Sequence, residues 1–142
     1  MKYELIIIPI VCAIITQFIV KPLISMIEGN FSWNSLLHYG GMPSSHSALV
    51  SSIATIMYLN FGLDSAAFAI SFFLAIIVMT DAVGLRSYIT DQGKTINKLI
   101  EDLPDELEYK YEIMNERVAH TIPQVVVGIF FGFMITYILY AL

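Results

Sequence analysis

Long runs of apolar residues divide the chain into candidate membrane helices. The run Leu5–Val20 is dominated by Ile, Val, Leu and Ala, with Thr16 and Gln17 as its polar side chains. Two further runs, Ser65–Val83 and Ile122–Leu142, are long enough for an α-helix to cross about 30 Å of hydrocarbon. With a fourth, less apolar segment included, the hydropathy predicts spans at about 4–27, 44–61, 65–89 and 119–141.

The fourth segment, Ser45–Phe61, differs from the other three because it is rich in Ser, Ala and Thr. Small and hydroxyl-bearing side chains allow helices to approach closely, so this composition is typical of a helix packed inside a bundle rather than one facing lipid. Gly128 and Gly132 have the spacing of a helix-packing motif in the last span. The sequence therefore predicts close helix packing around Ser45–Phe61.

Two connections between the spans have patterns of their own. Residues 31–39 are too short to cross a membrane and contain Trp33, which predicts an interfacial or re-entrant piece. Residues 92–116 predict an amphipathic helix that is broken near Pro104 and lies on the membrane surface. Its apolar positions at helical spacing are Ile96, Leu99, Ile100, Leu103 and Leu107.

The composition supports a membrane protein, because 57% hydrophobic and 13% charged residues are too apolar for an ordinary soluble core. We expect an all-α, polytopic membrane helix bundle of about four transmembrane helices plus an amphipathic cytoplasmic helical segment, with residues 1–142 forming a single membrane-embedded domain. The net charge of −5 argues against nucleic acid as a partner. The single cysteine, Cys12, allows no internal disulfide and is expected to fill space in the core.

The distribution of basic residues predicts an orientation. With four spans, one face carries most of the lysines and arginines, and the other carries Lys2 and the amino terminus. The basic face should be cytoplasmic, which predicts a bacterial-type cytoplasmic membrane with both termini facing away from the cytoplasm. The residues on the basic face are Lys21, Arg86, Lys94, Lys98, Lys110 and Arg117.

Residues 40–49 are the most informative stretch for chemistry, because they bring a Gly-rich turn, serine hydroxyls and His46 to the start of a predicted helix. Backbone N–H groups without a partner and the helix macrodipole attract anions at such a position. A second histidine, His120, also stands at the polar start of an apolar run, and the topology predicts it at the same membrane surface. Two imidazoles at two helix starts predict phosphoryl chemistry in which one attacks and the other protonates.

Four parts of the sequence carry a family resemblance: Lys21, Gly41–Ala48, Asp81–Arg86 and His120–Gly128. Together they resemble the divergent, small membrane branch of the type 2 phosphatidic acid phosphatase superfamily, whose distant relatives include vanadium haloperoxidases. The resemblance covers most of the chain, and the Pro-Ser-Ser-His block is its most specific part. It implies a phosphatase that works without metal or other cofactor.

The resemblance also implies a role for each matching residue. In that superfamily one histidine attacks phosphorus to form a phosphohistidine, which implies His120 as the nucleophile. The histidine of the Pro-Ser-x-His block protonates the leaving alcohol and later activates water, which implies His46 as the acid and base. Cations and helix-start donors suit a transition state that spreads negative charge over three oxygens. The implied phosphate-binding residues are Lys21, Ser44, Ser45 and Arg86.

One departure from the family pattern concerns the nucleophile. Family members carry an acid one turn after this histidine, where the chain has Gln124. A glutamine carbonyl can accept the Nδ1 proton of His120 and preserve its orientation, but it stabilises a positive ring less than a carboxylate does. Another acid, such as Asp81, Asp91 or Glu116, is a candidate to compensate for the glutamine, and Asp81 is alternatively a structural partner of Arg86.

Two further departures concern basic residues. The family places a second basic residue after Arg86, where this chain has Ser87, and the larger superfamily has an arginine six residues before the nucleophile, where this chain has Met114. Arg117, three residues before His120, is a candidate replacement.

These observations predict a membrane phosphatase that hydrolyses a phosphomonoester or pyrophosphate of a lipid, such as phosphatidylglycerophosphate or a polyprenyl phosphate. The first alternative is a catalytically silent protein of the same fold that binds phospholipid head groups or acts in assembly. The second is a small carrier formed when Gly-x-x-x-Gly helices dimerise. Expected partners are the lipid phosphate and membrane lipids, and neither nucleic acid nor metal is expected. A homodimer is an alternative to a monomer, because four short spans bury little area.

Overall fold

The computed structural model describes residues 3–29, 41–104, 110–116 and 118–142. Regular structure in these ranges is helical throughout. A π-helical turn, Thr16–Val20, joins the first two α-helices into one rod. The predicted interfacial piece at 31–39 and Arg117 lie outside the described residues. The α-helices are α1 (Glu4–Ile15), α2 (Lys21–Ile27), α3 (Ser45–Phe61), α4 (Ala66–Val83), α5 (Leu85–Glu101) and α6 (Ile122–Ala141).

Three helical stretches within the described ranges are long and apolar enough to cross a membrane: Glu4–Ile27, Ala66–Glu101 and Ile122–Ala141. With α3 they make about four membrane helices, so the predicted fold class, an all-α polytopic bundle, is confirmed.

Helix α3 lies at the centre of the bundle, in contact with α1, α4 and α6. Its start is capped by Ser44, whose backbone is extended and whose Oγ accepts from Ser47 N at 3.4 Å. It ends at Gly62, where φ is 80°. The prediction that neighbours enclose this segment is confirmed by its buried side chains, which are Ser47, Ala48, Val50, Ser51, Ser52, Thr55 and Ile56.

The glycine pair of α6 packs against α3. A Cβ atom on Gly128 would lie 2.5 Å from Ser44 O, and one on Gly132 would collide with Ala48 O. Cys12 Sγ points into the same contact, 3.9 Å from Gly132 O, and the side chain is fully buried. The predicted packing role of the glycines and of the cysteine is confirmed, and this Gly-x-x-x-Gly face is already filled within one chain.

The connection after α4 differs from the prediction in its boundaries. The expected span 65–89 ends at Val83, and the following helix begins at Leu85 rather than near residue 92. Gly84 separates them, and a Cβ atom there would lie 2.9 Å from Thr80 O. Helix α5 ends at Glu101, ahead of Pro104, as the predicted break requires.

The described residues after that break, 110–116, are not helical, so the helix predicted through residue 116 is wrong in this part. The physical reason is that the side chain of Asn97 binds the backbone groups of Met114, which would otherwise make helical hydrogen bonds. Asn97 Nδ2 donates to Met114 O at 2.9 Å and to Glu116 Oε1 at 2.8 Å, while Asn97 Oδ1 accepts from Met114 N at 2.7 Å. The returning chain is therefore fastened to α5 as an irregular segment.

Two backbone hydrogen bonds bring the start of α3, the end of α4 and the start of α6 together. Ser44 N donates to Gln124 O at 3.1 Å, and His120 N donates to Ala82 O at 3.1 Å. We name this end of the bundle, which carries His46 and His120, the histidine end. At the opposite end Tyr58 of α3 lies against Phe68 of α4, with ring centroids 5.9 Å apart.

Candidate functional site

The two serines implied as phosphate binders already have protein partners at the start of α3. Ser44 is fully buried, and its Oγ accepts from Ser47 Oγ at 2.9 Å as well as from the Ser47 backbone. Its oxygen therefore serves as the cap of the helix. Ser45 Oγ is half-buried and donates to Gln17 Oε1. Before Ser45 can donate to a phosphate, its hydroxyl proton must turn away from Gln17.

His46 occupies the first turn of α3 and is exposed, unlike its neighbours Ser44 and Ser47. Its position in the first turn of a helix places an imidazole where the helix dipole attracts anions.

Among the lysines and arginines in the described ranges, Lys21 is the most enclosed. Its side chain is only 6% exposed, at the start of α2. A Cβ atom on Gly41 would lie 3.1 Å from Lys21 Cε and 3.9 Å from Nζ, and Gly41 has φ of +87°. A glycine here both adopts the left-handed backbone and leaves room for the ammonium beside the segment that leads into α3.

Arg86 and Asp81 face each other across the break between α4 and α5. Arg86 Nε donates to Asp81 Oδ2 at 3.0 Å, in a partly exposed ion pair. The pairing that the sequence left as an alternative is thus present. A partly exposed pair of this kind contributes little to stability, so its main effect is to orient the guanidinium of Arg86.

His120 is 93% buried and precedes the first turn of α6. Its Nδ1 lies 3.2 Å from Gln124 Oε1, and the same oxygen accepts from Thr121 N at 3.0 Å within a capping box. Because a backbone N–H can only donate, the atom of Gln124 that faces it must be the carbonyl oxygen. The histidine therefore carries its proton on Nδ1, and a neutral ring has its lone pair on Nε2.

The electrostatics of His120 connect it with the other candidate residues. Burial is the main cause that lowers the pKa of His120, and the hydrogen bond to Gln124 opposes it. Positive charge on His46, Lys21 and Arg86 lowers the pKa of His120 further. The structure thus brings two histidines, a lysine and an arginine into one neighbourhood at the histidine end.

Sequence reasoning missed three residues that hold this neighbourhood in place. Gln17 binds Ser45, Thr90 Oγ1 accepts from Ala119 N at 3.2 Å, and Asn97 fastens the segment that leads to His120. The signal for Gln17 was present, since an amide inside an apolar span is costly without a partner. Within the described ranges, His, Cys, Asp and Glu form no group of three that would hold a metal ion.

The chain is similar to a known protein family over almost its whole length. The family model described as Divergent PAP2 family matches residues 1–135. The chain is also similar to a Bacillus subtilis (strain 168) protein named uncharacterized membrane protein YuiD, at 34% identity over 137 residues, covering 89% of this chain and 87% of that relative. No solved structure matches. With a family match across nearly its whole length and three helices suited to a bilayer, the chain is a membrane protein that belongs to the divergent PAP2 family.

Proposed function

We propose that this protein is a metal-independent lipid phosphatase that acts through a phosphohistidine on His120. The observation that carries the proposal is the contact between His120 Nδ1 and Gln124 Oε1, which leaves Nε2 for the attack on phosphorus in a ring exposed to the positive charge of Lys21 and Arg86. Phosphoryl transfer depends mainly on positioned positive charge and an oriented nucleophile, and this site supplies both.

The reaction has two balanced steps. First, Lys21, Arg86 and the N–H groups at the start of α3 bind the phosphate oxygens, and His120 Nε2 attacks phosphorus while the ester P–O bond breaks. His46 gives its proton to the leaving alcohol. Then a water molecule loses a proton to His46 and attacks phosphorus, the P–N bond breaks, and inorganic phosphate leaves with His120 regenerated.

The substrate we propose is a lipid phosphomonoester or pyrophosphate held at the cytoplasmic face of a bacterial-type cytoplasmic membrane. The excess of Lys and Arg at the histidine end supports this orientation. Phosphatidylglycerophosphate and polyprenyl phosphates are the two candidate substrates of this class.

The test is phosphate release from these lipids by purified protein in detergent with a chelator present. His120→Ala should remove the release, and Gln92→Ala, at an exposed position on α5, should retain it. Full turnover by the His120→Ala protein would refute the nucleophile assignment.

A second candidate function is a catalytically silent protein that binds phospholipid head groups, favoured by the amide Gln124 at a position where an acid would stabilise a positive ring. Such a protein would bind vanadate or phosphate at the same residues without turnover. Phosphate release by the wild-type protein separates the two functions, since a silent protein would release none either as the wild-type protein or as the Gln124→Glu variant.

A further inference from the structure

An open groove runs along the side of the bundle between α3 and the rod formed by α1 and its π-helical turn. Its volume is about 260 Å³. Its walls are apolar, formed by Ala13, Ile14, Phe18 and Leu49. Its polar end is formed by Gln17, Ser45 and His46, at the start of α3. The groove is therefore continuous with the candidate phosphate site.

The groove leads from the histidine end into the membrane. Leu49 lies one turn beyond Ser45 along α3, roughly 5 Å deeper in the bundle. On the facing rod, Ala13 is likewise about one turn deeper than Gln17. Ile14 and Phe18 are each about half exposed on a helix that is suited to crossing a bilayer. The open side of the groove thus faces hydrocarbon.

The contact between Gln17 and Ser45 marks the boundary between the two parts of the groove. The π-helical turn begins at Thr16, and such turns recur at functional sites. Within this turn, Gln17 Oε1 accepts the Ser45 hydroxyl proton at the level of His46. Polar groups lie on the side of this contact toward the histidine end, and apolar walls lie on its bilayer side. This arrangement matches a molecule with a phosphate at one end and a hydrocarbon chain at the other.

We propose that this groove binds the first part of the hydrocarbon chain of the lipid phosphate, which enters from the bilayer between α1 and α3. The inference rests on the proposed function and adds a side of entry and a set of chain contacts to it. A soluble phosphate ester would make no contact with the apolar walls, so the groove gives selectivity for substrates that carry a chain.

Filling the groove provides the test. Ala13→Phe places a ring between the walls, and Ala69→Phe adds the same ring on the exposed side of α4 as a matched control. For Ala13→Phe we expect kcat/KM for a long-chain lipid phosphate to fall at least about tenfold, while kcat/KM for a water-soluble short-chain analogue changes less than about twofold. The control should retain both. Equal loss with both substrates, or no loss with the long-chain one, would overturn the proposal.

A measurement that does not need turnover separates this inference from the proposed function. A long-chain phosphatidic acid with a photoreactive group near the start of its acyl chain is incubated with the wild-type protein and irradiated. Crosslinks should fall within residues 13–18 and 45–49 and should be absent with a neutral diacylglycerol that carries the same chain. Crosslinks spread evenly over α4 and α6, or equal labelling by the neutral lipid, would overturn the groove assignment. If labelling is specific but no phosphate is released from any substrate, the enzymatic proposal alone fails.

Discussion

Gln124 Oε1 lies 3.2 Å from His120 Nδ1, and the same oxygen caps the first turn of α6 by accepting from Thr121 N. One amide oxygen thus ties the orientation of an imidazole to the start of a membrane helix. A carboxylate at this position would orient the ring equally well and would also stabilise its positive form. The glutamine therefore orients the ring of His120 but carries no negative charge to stabilise its positive form.

The first prediction concerns the protonation of His120. Burial and neighbouring positive charge lower the pKa of His120 below the ordinary value near 6.5. Nitrogen-15 NMR of the protein in micelles should therefore show the Nδ1-protonated tautomer and a titration midpoint below about 6.5. The folded state binds fewer protons than the unfolded chain in this range, so the contribution of His120 to the free energy of unfolding decreases as the pH falls below about 6.5. A midpoint above that value, or an Nε2-protonated ring, would contradict the assignment.

The second prediction concerns the missing acid. Gln124→Glu should raise the pKa of His120, because a carboxylate replaces a neutral amide next to Nδ1, and should increase phosphate release about tenfold or more if the positive ring limits the reaction. Gln124→Ala removes both the cap and the orienting oxygen and should lower the release. The control is Val126→Ala, at an exposed position on the same helix. An unchanged rate in Gln124→Glu would show that the positive ring does not limit turnover.

The third prediction concerns the contact between α3 and α6. Gly128→Ala and Gly132→Ala introduce a Cβ atom against the backbone of α3 and should each destabilise the protein by about 1–3 kcal/mol. Gly93→Ala is the matched control, since its added Cβ atom would meet neighbours at 3.5 Å or more. It should be neutral or stabilising by up to about 1 kcal/mol, because alanine favours a helix. Thermal unfolding in detergent, followed by circular dichroism, measures the difference; equal effects at the three positions would argue against the packing described.

The fourth prediction concerns the segment fastened to α5. Asn97 is 5% exposed and binds both backbone groups of Met114. In Asn97→Ala, the Met114 amide loses its acceptor, and its hydrogen exchange should accelerate about tenfold or more. Lys98→Ala, at an exposed position one residue further on, should leave the exchange unchanged. Slow exchange at Met114 in the Asn97 variant would mean that other contacts hold the segment.

The sequence predicted those parts of the fold that depend on composition and local chemistry. The small residues of Ser45–Phe61 indicated an enclosed helix, the spacing of Gly128 and Gly132 indicated close packing, and Pro104 indicated a helix end. Each of these follows from the size or backbone freedom of a residue, which a sequence displays directly. The irregular course of residues 110–116 does not, because it depends on one side chain, Asn97, reaching a backbone 17 positions away.

The candidate site likewise combines features that the sequence predicted with features that it did not. The Pro-Ser-Ser-His block indicated the residues of interest, but a hydroxyl at a helix start can serve either the helix or a ligand. The structure assigns the Ser44 oxygen to the helix and engages Ser45 with Gln17. Neither outcome can be read from the sequence, since each depends on how neighbouring helices are rotated.

The π-helical turn determines which side chain of the first rod faces the bundle interior after Thr16. Its inward positions Ile8, Cys12 and Thr16 recur every four residues, yet the next one is Lys21, five residues further on. Regular α-helical winding would put Val20 in that place and swing the lysine about 100° toward lipid. The one extra residue of the π-helical turn therefore places the Lys21 ammonium in the interior of the bundle. In a variant that lacks Ile19, regular α-helical geometry would be restored and the ammonium should still face the interior.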